Sequence, residues 1–170
     1  MQSIWEKIEE ARRVADRQAQ VTDGQGSPFR FGAMNPPASK LDLELLSVEI
    51  EMELPSQLYD SLAIHNGFAV ETGGWFHDEC CGIYPMSCNS IGRVYWSMVE
   101  SPFVGEKSWI PVLTDRASDY YYFIDSDDGS LLGLQQGLLQ PNSLRFDSYL
   151  DFLKVVLKCI QDKRPFSWPF

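Results

Sequence analysis

Two histidines, four cysteines and an aspartate-rich run are the residues of this 170-residue chain whose types could do chemistry. General-base catalysis most often uses His, whose pKa is adjustable around neutrality. His65 stands in Ile64-His65-Asn66-Gly67 at a helix end, where favourable interaction with the helix C-terminal dipole explains it without a catalytic role. His77 precedes Asp78, Glu79, Cys80 and Cys81, with Cys88 further on, so soft and hard ligands for zinc are at hand. Their spacing does not suit the metal. Structural zinc draws on two ligands about two to four residues apart matched by a second such pair, and adjacent cysteines cannot easily both turn to one ion. In Asp125-Ser126-Asp127-Asp128-Gly129 the glycine comes one residue too early for a calcium loop, and Gln136 stands where the bidentate Glu belongs. The run reads as an acidic turn. No phosphate loop, nucleophile elbow, dinucleotide fingerprint or HExxH motif is present. Cys88 and Cys159 read as packing thiols, Cys159 lying beside Val156 and Ile160. Carboxylates are abundant, but their separation, which a glycoside hydrolase depends on, is not legible in a sequence. The expectation is a chain with no catalytic residue, no metal and no cofactor.

Composition points to the partner instead. Asp and Glu number 24 against 14 Lys and Arg, a formal charge of −10. A duplex reader needs a basic surface to replace counterions on phosphates, so nucleic acid is excluded as a direct ligand. No stretch approaches the roughly 18 to 20 apolar residues of a membrane span, and the N-terminus MQSIWEKIEEARR is charged, not signal-like. The cysteines lack framework spacing and include the adjacent pair Cys80-Cys81, which implies reduced thiols and a cytoplasmic location. Acids concentrate at Glu49, Glu51 and Glu53, at Glu71, Asp78 and Glu79, and at Asp115, Asp119, Asp125, Asp127 and Asp128. Trp75, Phe76 and Tyr120 to Tyr122 lie among the last two groups. Charge runs are usually solvated faces. Interleaved with aromatics they also suit capture of a cationic protein, because charge steers encounter and buried rings supply hot spots. The candidate partner-binding residues are Trp75, Phe76, Asp78, Glu79, Asp115, Asp119, Tyr121, Asp127 and Asp128.

The elements that position these residues follow from periodicity. Ile4, Ile8, Ala11 and Ala15 recur at helical spacing, with Glu9 and Arg13 a favourable i,i+4 pair. A Gly/Pro-rich loop follows to Ser39, with Phe29, Phe31 and Met34 available to pin it to the body. Residues 1–38 are thus a helix and loop packed on a main unit of residues 39–170, the whole forming one domain. Ser39 suits an N-cap, and Leu41, Leu45, Val48 and Met52 trace one helical face. Val48 to Leu54 also alternates perfectly and would equally suit a half-buried strand. Pro55 to Asn66 reads as a helix with Leu58, Tyr59 and Leu62 on its apolar face, stopped by a left-handed Gly67. A short strand from Gly82 to Met86 leads to a helix capped by Ser87 or Asn89. Three runs, Trp109 to Leu113, Tyr120 to Asp125 and Leu131 to Gln135, form a meander whose second turn is marked by Asp128-Gly129. Asp147 or Ser148 caps a closing helix with Tyr149, Leu153, Val156 and Ile160 inward. This is an α+β fold, an antiparallel or mixed sheet of about four to six strands with helices mainly on one side.

Several of these segments, in order, resemble the SUKH superfamily, which includes yeast cell-wall-synthesis regulators and bacterial toxin-immunity proteins. Leu54-Pro55, Tyr59 and His65-Asn66-Gly67 are similar to its LP…Y…NG helix, and Gly82-Ile83-Tyr84-Pro85 to its short strand before a helix. Trp109-Ile110-Pro111-Val112 is similar to its W-I-P-I strand. Asp119-Tyr120-Tyr121 with Ile124-Asp125 and Gly129 resembles its GD-Y-Y-x-I-D-x-x-x-G hairpin, with Ser118 in place of the usual Gly. Ser148-Tyr149-x2-Phe152-Leu153 resembles its closing helix. The resemblance spans Ser39 to Ile160. It implies a non-enzymatic binding protein that neutralises a cognate toxin, commonly a nuclease; the acidic charge independently suits a basic one, and the expected state is a monomer or weak homodimer. The alternative it implies is a scaffold or regulatory module in cell-wall or envelope control. The matched positions Leu54, Pro55, Tyr59, Asn66, Gly67, Trp109, Pro111, Asp125 and Gly129 are mostly fold-making, and fold alone does not fix function.

Overall fold

A computed structural model describes residues 1–21, 34–68, 83–100, 107–115, 120–135 and 145–162. Helix α1 (Gln2–Val21) is followed by α2 (Lys40–Glu49), α3 (Ser56–Leu62), strand β1 (Ile83–Pro85) and α4 (Cys88–Val99). Strands β2 (Trp109–Asp115), β3 (Tyr120–Asp125), β4 (Leu131–Gln135) and β5 (Arg145–Phe146) lead to the closing helix α5 (Tyr149–Gln161). The fold is α+β, and the sheet is antiparallel throughout in the order β1-β2-β3-β4-β5. The expected three-stranded meander is therefore its centre, extended at one edge by β1 and at the other by β5.

Local chemistry explains where the helices begin. Ser39 caps α2 in a reciprocal box: its Oγ accepts from Asp42 N–H at 3.1 Å while Asp42 Oδ2 accepts from Ser39 N–H at 2.8 Å. These bonds from Ser39 hold the Asp42 carboxyl below its ordinary pKa. Ser87 and Ser148 cap α4 and α5 by accepting from Ser90 N–H and Asp151 N–H. On α1 an ion pair joins Glu9 to Arg12 at 3.3 Å.

Pro111 sits inside β2, a non-edge strand, and the ladder accommodates it with a shift in register between Pro111 and Leu113. A residue without an N–H is tolerated in such a strand at a bulge. Beyond the shift the register is regular. Tyr122, on the helix-facing side, meets Phe152 of α5 at a centroid distance of 5.8 Å, and Phe146 of β5 meets the same ring at 5.4 Å. Side chains alternate along a strand, so Tyr121 and Phe123 take the opposite face. There Phe123 neighbours the rings of Trp109 and Tyr121. Trp109 lies outside the main core cluster. It is half-buried on this second face, where its indole donates to Asp125 Oδ2 at 3.2 Å.

The main core joins helices to sheet. Helix α4 lies against β2 and α5 against β5, while α1 and α3 pack on α5 and α2 packs on α4. Trp5, Ile8, Leu43, Leu46, Leu58, Leu62, Ile110, Tyr122, Phe152 and Val156 belong to one buried cluster. Residues 1–15 are thus built into the domain through Ile4, Trp5 and Ile8. At their centre buried Ser61 accepts from Trp5 Nε1 at 3.2 Å and hydrogen-bonds Tyr149, tying α1, α3 and α5 together. Burial pushes the Tyr149 phenol up to about 12. Replacing Ser61 with Ala takes a partner from the buried Trp5 indole N–H and from the buried Tyr149 phenol oxygen and is expected to cost about 1–3 kcal/mol, read as a lower urea midpoint at unchanged m-value. An unchanged midpoint would show that this junction contributes nothing.

In the α2–α3 region one open alternative is decided and two readings need correction. The Val48–Leu54 alternation is not a strand: helix continues to Glu49 and ends where Glu51 turns left-handed at φ 54°. Helix α3 spans Ser56–Leu62, shorter than Pro55 to Asn66, with Pro55 as its N-cap and the Pro55 carbonyl accepting from Tyr59 N–H at 2.9 Å. Tyr59 does not join the apolar face made by Leu58 and Leu62. It is 40% exposed.

Candidate partner-binding surface

The acidic hairpin is largely committed to its own turn. Gly129 takes φ 74° and donates its N–H to Asp125 O at 2.8 Å, closing a loop over residues 126–129. The Asp125 carboxylate accepts from Trp109 Nε1 and from Asp127 N–H at 3.0 Å, which makes it a turn-forming residue. Asp128 accepts from Ser130 N–H at 2.8 Å and pairs with Arg145 of β5 at 2.5 Å. Hydrogen bonds from Ser130, reinforced by Arg145, hold its carboxyl below the ordinary range. Asp127 is exposed, while Tyr121 is half-buried on the second face of the sheet. Asp127 therefore offers a freely displayed charge, and Asp128 serves the fold. Trp75, Phe76, His77, Asp78, Glu79, Cys80, Cys81 and Asp119, together with the side chain of Asp115, lie outside the described residues.

His65 lies past the end of α3, edge-on to Trp5 at 5.2 Å. It borders an open groove of about 530 Å³ whose other lining includes Glu6, Glu9 and Pro37. Burial lowers its pKa and outweighs the pull of Glu9 in the other direction, so the ring is neutral at pH 7. The helix-dipole account of this residue is thereby replaced by desolvation against α1. In the unfolded chain the imidazole protonates near 6.5, and in the fold only at lower pH. Between those values the unfolded state binds more protons, so stability falls as pH drops through about 6.5 and below, until the folded-state imidazole also protonates. A His65→Gln variant is expected to lose that part of the slope in urea midpoints. An identical slope in both proteins would refute the assignment.

Cys88 opens α4, a place where the helix dipole favours a thiolate. Burial wins and pushes the thiol up to about 11, with the Asp42 carboxylate adding to the effect. It is a protonated packing residue at neutral pH, as is consistent with its place in the core cluster. Among the described residues no group of three or more His, Cys, Asp or Glu side chains could hold a metal ion.

The first acidic cluster, at Glu49, Glu51 and Glu53, is part of a continuous exposed acidic segment. From Lys40 to Leu62 the sequence carries Asp42, Glu44, Glu49, Glu51, Glu53 and Asp60 against Lys40 alone, and every one of these carboxylates is exposed. Lys40 is 3.5 Å from Glu44, a pair in which both groups remain largely solvated. Such a pair is weak and leaves the local field negative.

The same helix shows large aliphatic side chains to solvent. Leu41, Leu45 and Val48 are 62%, 56% and 74% exposed, whereas Leu43, Leu46 and Ile50 are buried. The periodic face traced in the sequence is real, but it points outward, except that Met52, past the helix end, is half-buried and packs on the core. Two apolar faces on one helix explain why periodicity could not say which was inside. Trp96 of α4 holds the end of α2 by donating its indole N–H to Glu49 O at 2.7 Å.

No protein-family model matches the chain, and no curated protein matches it either. No helix of the described residues is long and apolar enough to cross a membrane.

Proposed function

We propose that this protein is a non-enzymatic, immunity-type inhibitor that captures a basic toxin domain by stoichiometric binding. The observation that carries the proposal is the concentration of exposed carboxylates from α2 through α3, six against one lysine over residues 40–62, in a chain of net charge −10. A surface of one sign raises the encounter rate with a partner of the opposite sign and repels like-charged competitors. A toxin that handles nucleic acid must carry a basic surface to neutralise phosphates, and that is the surface an acidic inhibitor would cover. The resemblance of Leu54 to Gly67, Trp109 to Val112 and the Asp125–Gly129 hairpin to the SUKH superfamily supports the same reading, because that superfamily includes immunity proteins.

Two candidate groups divide the work in this reading. Exposed acids of α2 and α3 steer, and Asp127 adds to the field from the hairpin. Asp125 and Asp128 hold the turn. The experiment is co-expression with a toxin domain encoded beside this gene, scored as restored growth, together with a pull-down of the two purified proteins. Growth restored with a 1:1 complex is the expected result. A folded protein that neither binds nor protects against the neighbouring basic domain overturns the proposal.

A further inference from the structure

We infer that the outward stripe of α2, Leu41, Leu45 and Val48, is the docking site for a basic amphipathic helix of the partner. The inference rests on the proposed capture of a basic protein and names where and how that protein is held.

At about 100° per residue, Leu41, Leu45 and Val48 fall within an arc of about 60°, on the side of α2 opposite Leu43 and Leu46. The three are a continuous i, i+4, i+7 ridge, the spacing by which one helix offers anchors to another. By the same count Asp42 borders one edge of the ridge and Glu44 the other, with Lys40 beyond it, while Glu49, on the Asp42 side, rests its carboxylate against Gly92 of α4. An apolar strip walled on both sides by carboxylates is complementary to a helix whose aliphatic residues are flanked by Lys or Arg. That pattern also argues against a second copy of this chain, because an α2-to-α2 contact would bring two acidic walls together.

The ridge is held ready for a partner. The Ser39–Asp42 box fixes its start, and the Trp96 bond to Glu49 O fixes its end, so little ordering is left to occur on binding. Three large aliphatics exposed at consecutive helical turns also differ from the scattered single exposures normal on a soluble surface.

The test uses the full chain labelled with nitrogen-15 and two synthetic peptides of about 18 residues, long enough to be helical. Both carry leucines at helical spacing, one with lysines at the remaining positions and one with glutamates. The leucine/lysine peptide is expected to shift the amides of residues 40–50 first. A Leu45→Ser, Val48→Ser double variant is expected to weaken its affinity at least about tenfold, since burial of each side chain is lost. Both positions are exposed, so the variant should melt within a few degrees of the parent. Unchanged affinity in the double variant, shifts confined to another face, or no binding of the leucine/lysine peptide overturns the docking site while leaving the capture of a basic protein to its own co-expression test. Equal binding of the glutamate peptide overturns the charge argument on which both rest. Concentration-dependent dimers abolished by the double variant would assign the ridge to a second copy and overturn the inference.

Discussion

Gly67→Ala is expected to destabilise the protein by about 3 kcal/mol or more, an unusually large effect for the addition of one methyl group. Two causes act together. Gly67 takes φ 68°, which costs any L residue with a Cβ. A Cβ built there would also lie 2.5 Å from Met86 C and from Ser87 N, backbone atoms that cannot swing aside. The neighbourhood has no slack, because Gly67 O accepts from Asn35 N–H at 2.9 Å and Phe68 N–H donates to Pro85 O at 3.1 Å. Asn66 Oδ1 accepts from Cys88 N–H at 2.8 Å, satisfying a free donor at the start of α4. The Asn66-Gly67 pair thus clamps the segment after α3 onto the junction of β1 and α4. The fall in Tm is expected to be about 10 °C. Gly129→Ala is the control: it shares a positive φ, 74°, but its Cβ would meet only Gln57 Nε2, at 3.8 Å. It should cost about 1 kcal/mol. Equal losses at the two sites would show that the close approach at Gly67 is not what matters.

The second large effect is on association. Reversing Glu44, Glu49 and Glu53 to lysine changes the charge of the α2–α3 surface by six units, and for a basic partner the on-rate at low salt is expected to fall at least about tenfold. Fold stability should change little at Glu44 and Glu53, which are exposed, and somewhat more at Glu49, whose carboxylate rests against Gly92 of α4. The dissociation rate should change less than the association rate, since steering acts before docking. The Leu45→Ser, Val48→Ser variant should do the reverse, leaving the on-rate and speeding dissociation. Stopped-flow mixing separates the two. A triple variant with an unaltered on-rate would remove this surface from the encounter.

The strongly patterned parts of the fold were legible in the residues. Tyr120–Asp125, Leu131–Gln135 and the closing helix, with Tyr149, Leu153, Val156 and Ile160 buried, have the limits and faces that their periodicity implies. Ser39, Ser87 and Ser148 cap helices as their type and position suggest. What the pattern could not convey depends on distant partners. Strand β5 is two residues long and has no alternation to detect. Helix α2 is apolar on opposite faces, so only its packing on α4 decides that Leu43 and Leu46 go inward. Gly67 could be recognised as a left-handed position, but its contact with Met86 and Ser87 links residues some twenty apart. The hairpin acids looked alike in sequence, and only Arg145, arriving from β5, separates Asp128 from Asp127. The apolar ridge of α2 has no sequence signal marking it as exposed.

The proposed capture of a basic protein through the acidic α2–α3 surface is tested most directly by association kinetics, at two ionic strengths, with any basic toxin domain encoded beside this gene. Across a rise from about 0.05 to 0.5 M salt the Debye length shrinks severalfold, and exposed charges separated by more than that length cease to steer. The account predicts a 1:1 complex whose on-rate falls at least about tenfold across that range while the off-rate changes little. A folded protein that forms no complex, or one whose on-rate is indifferent to salt, would contradict it.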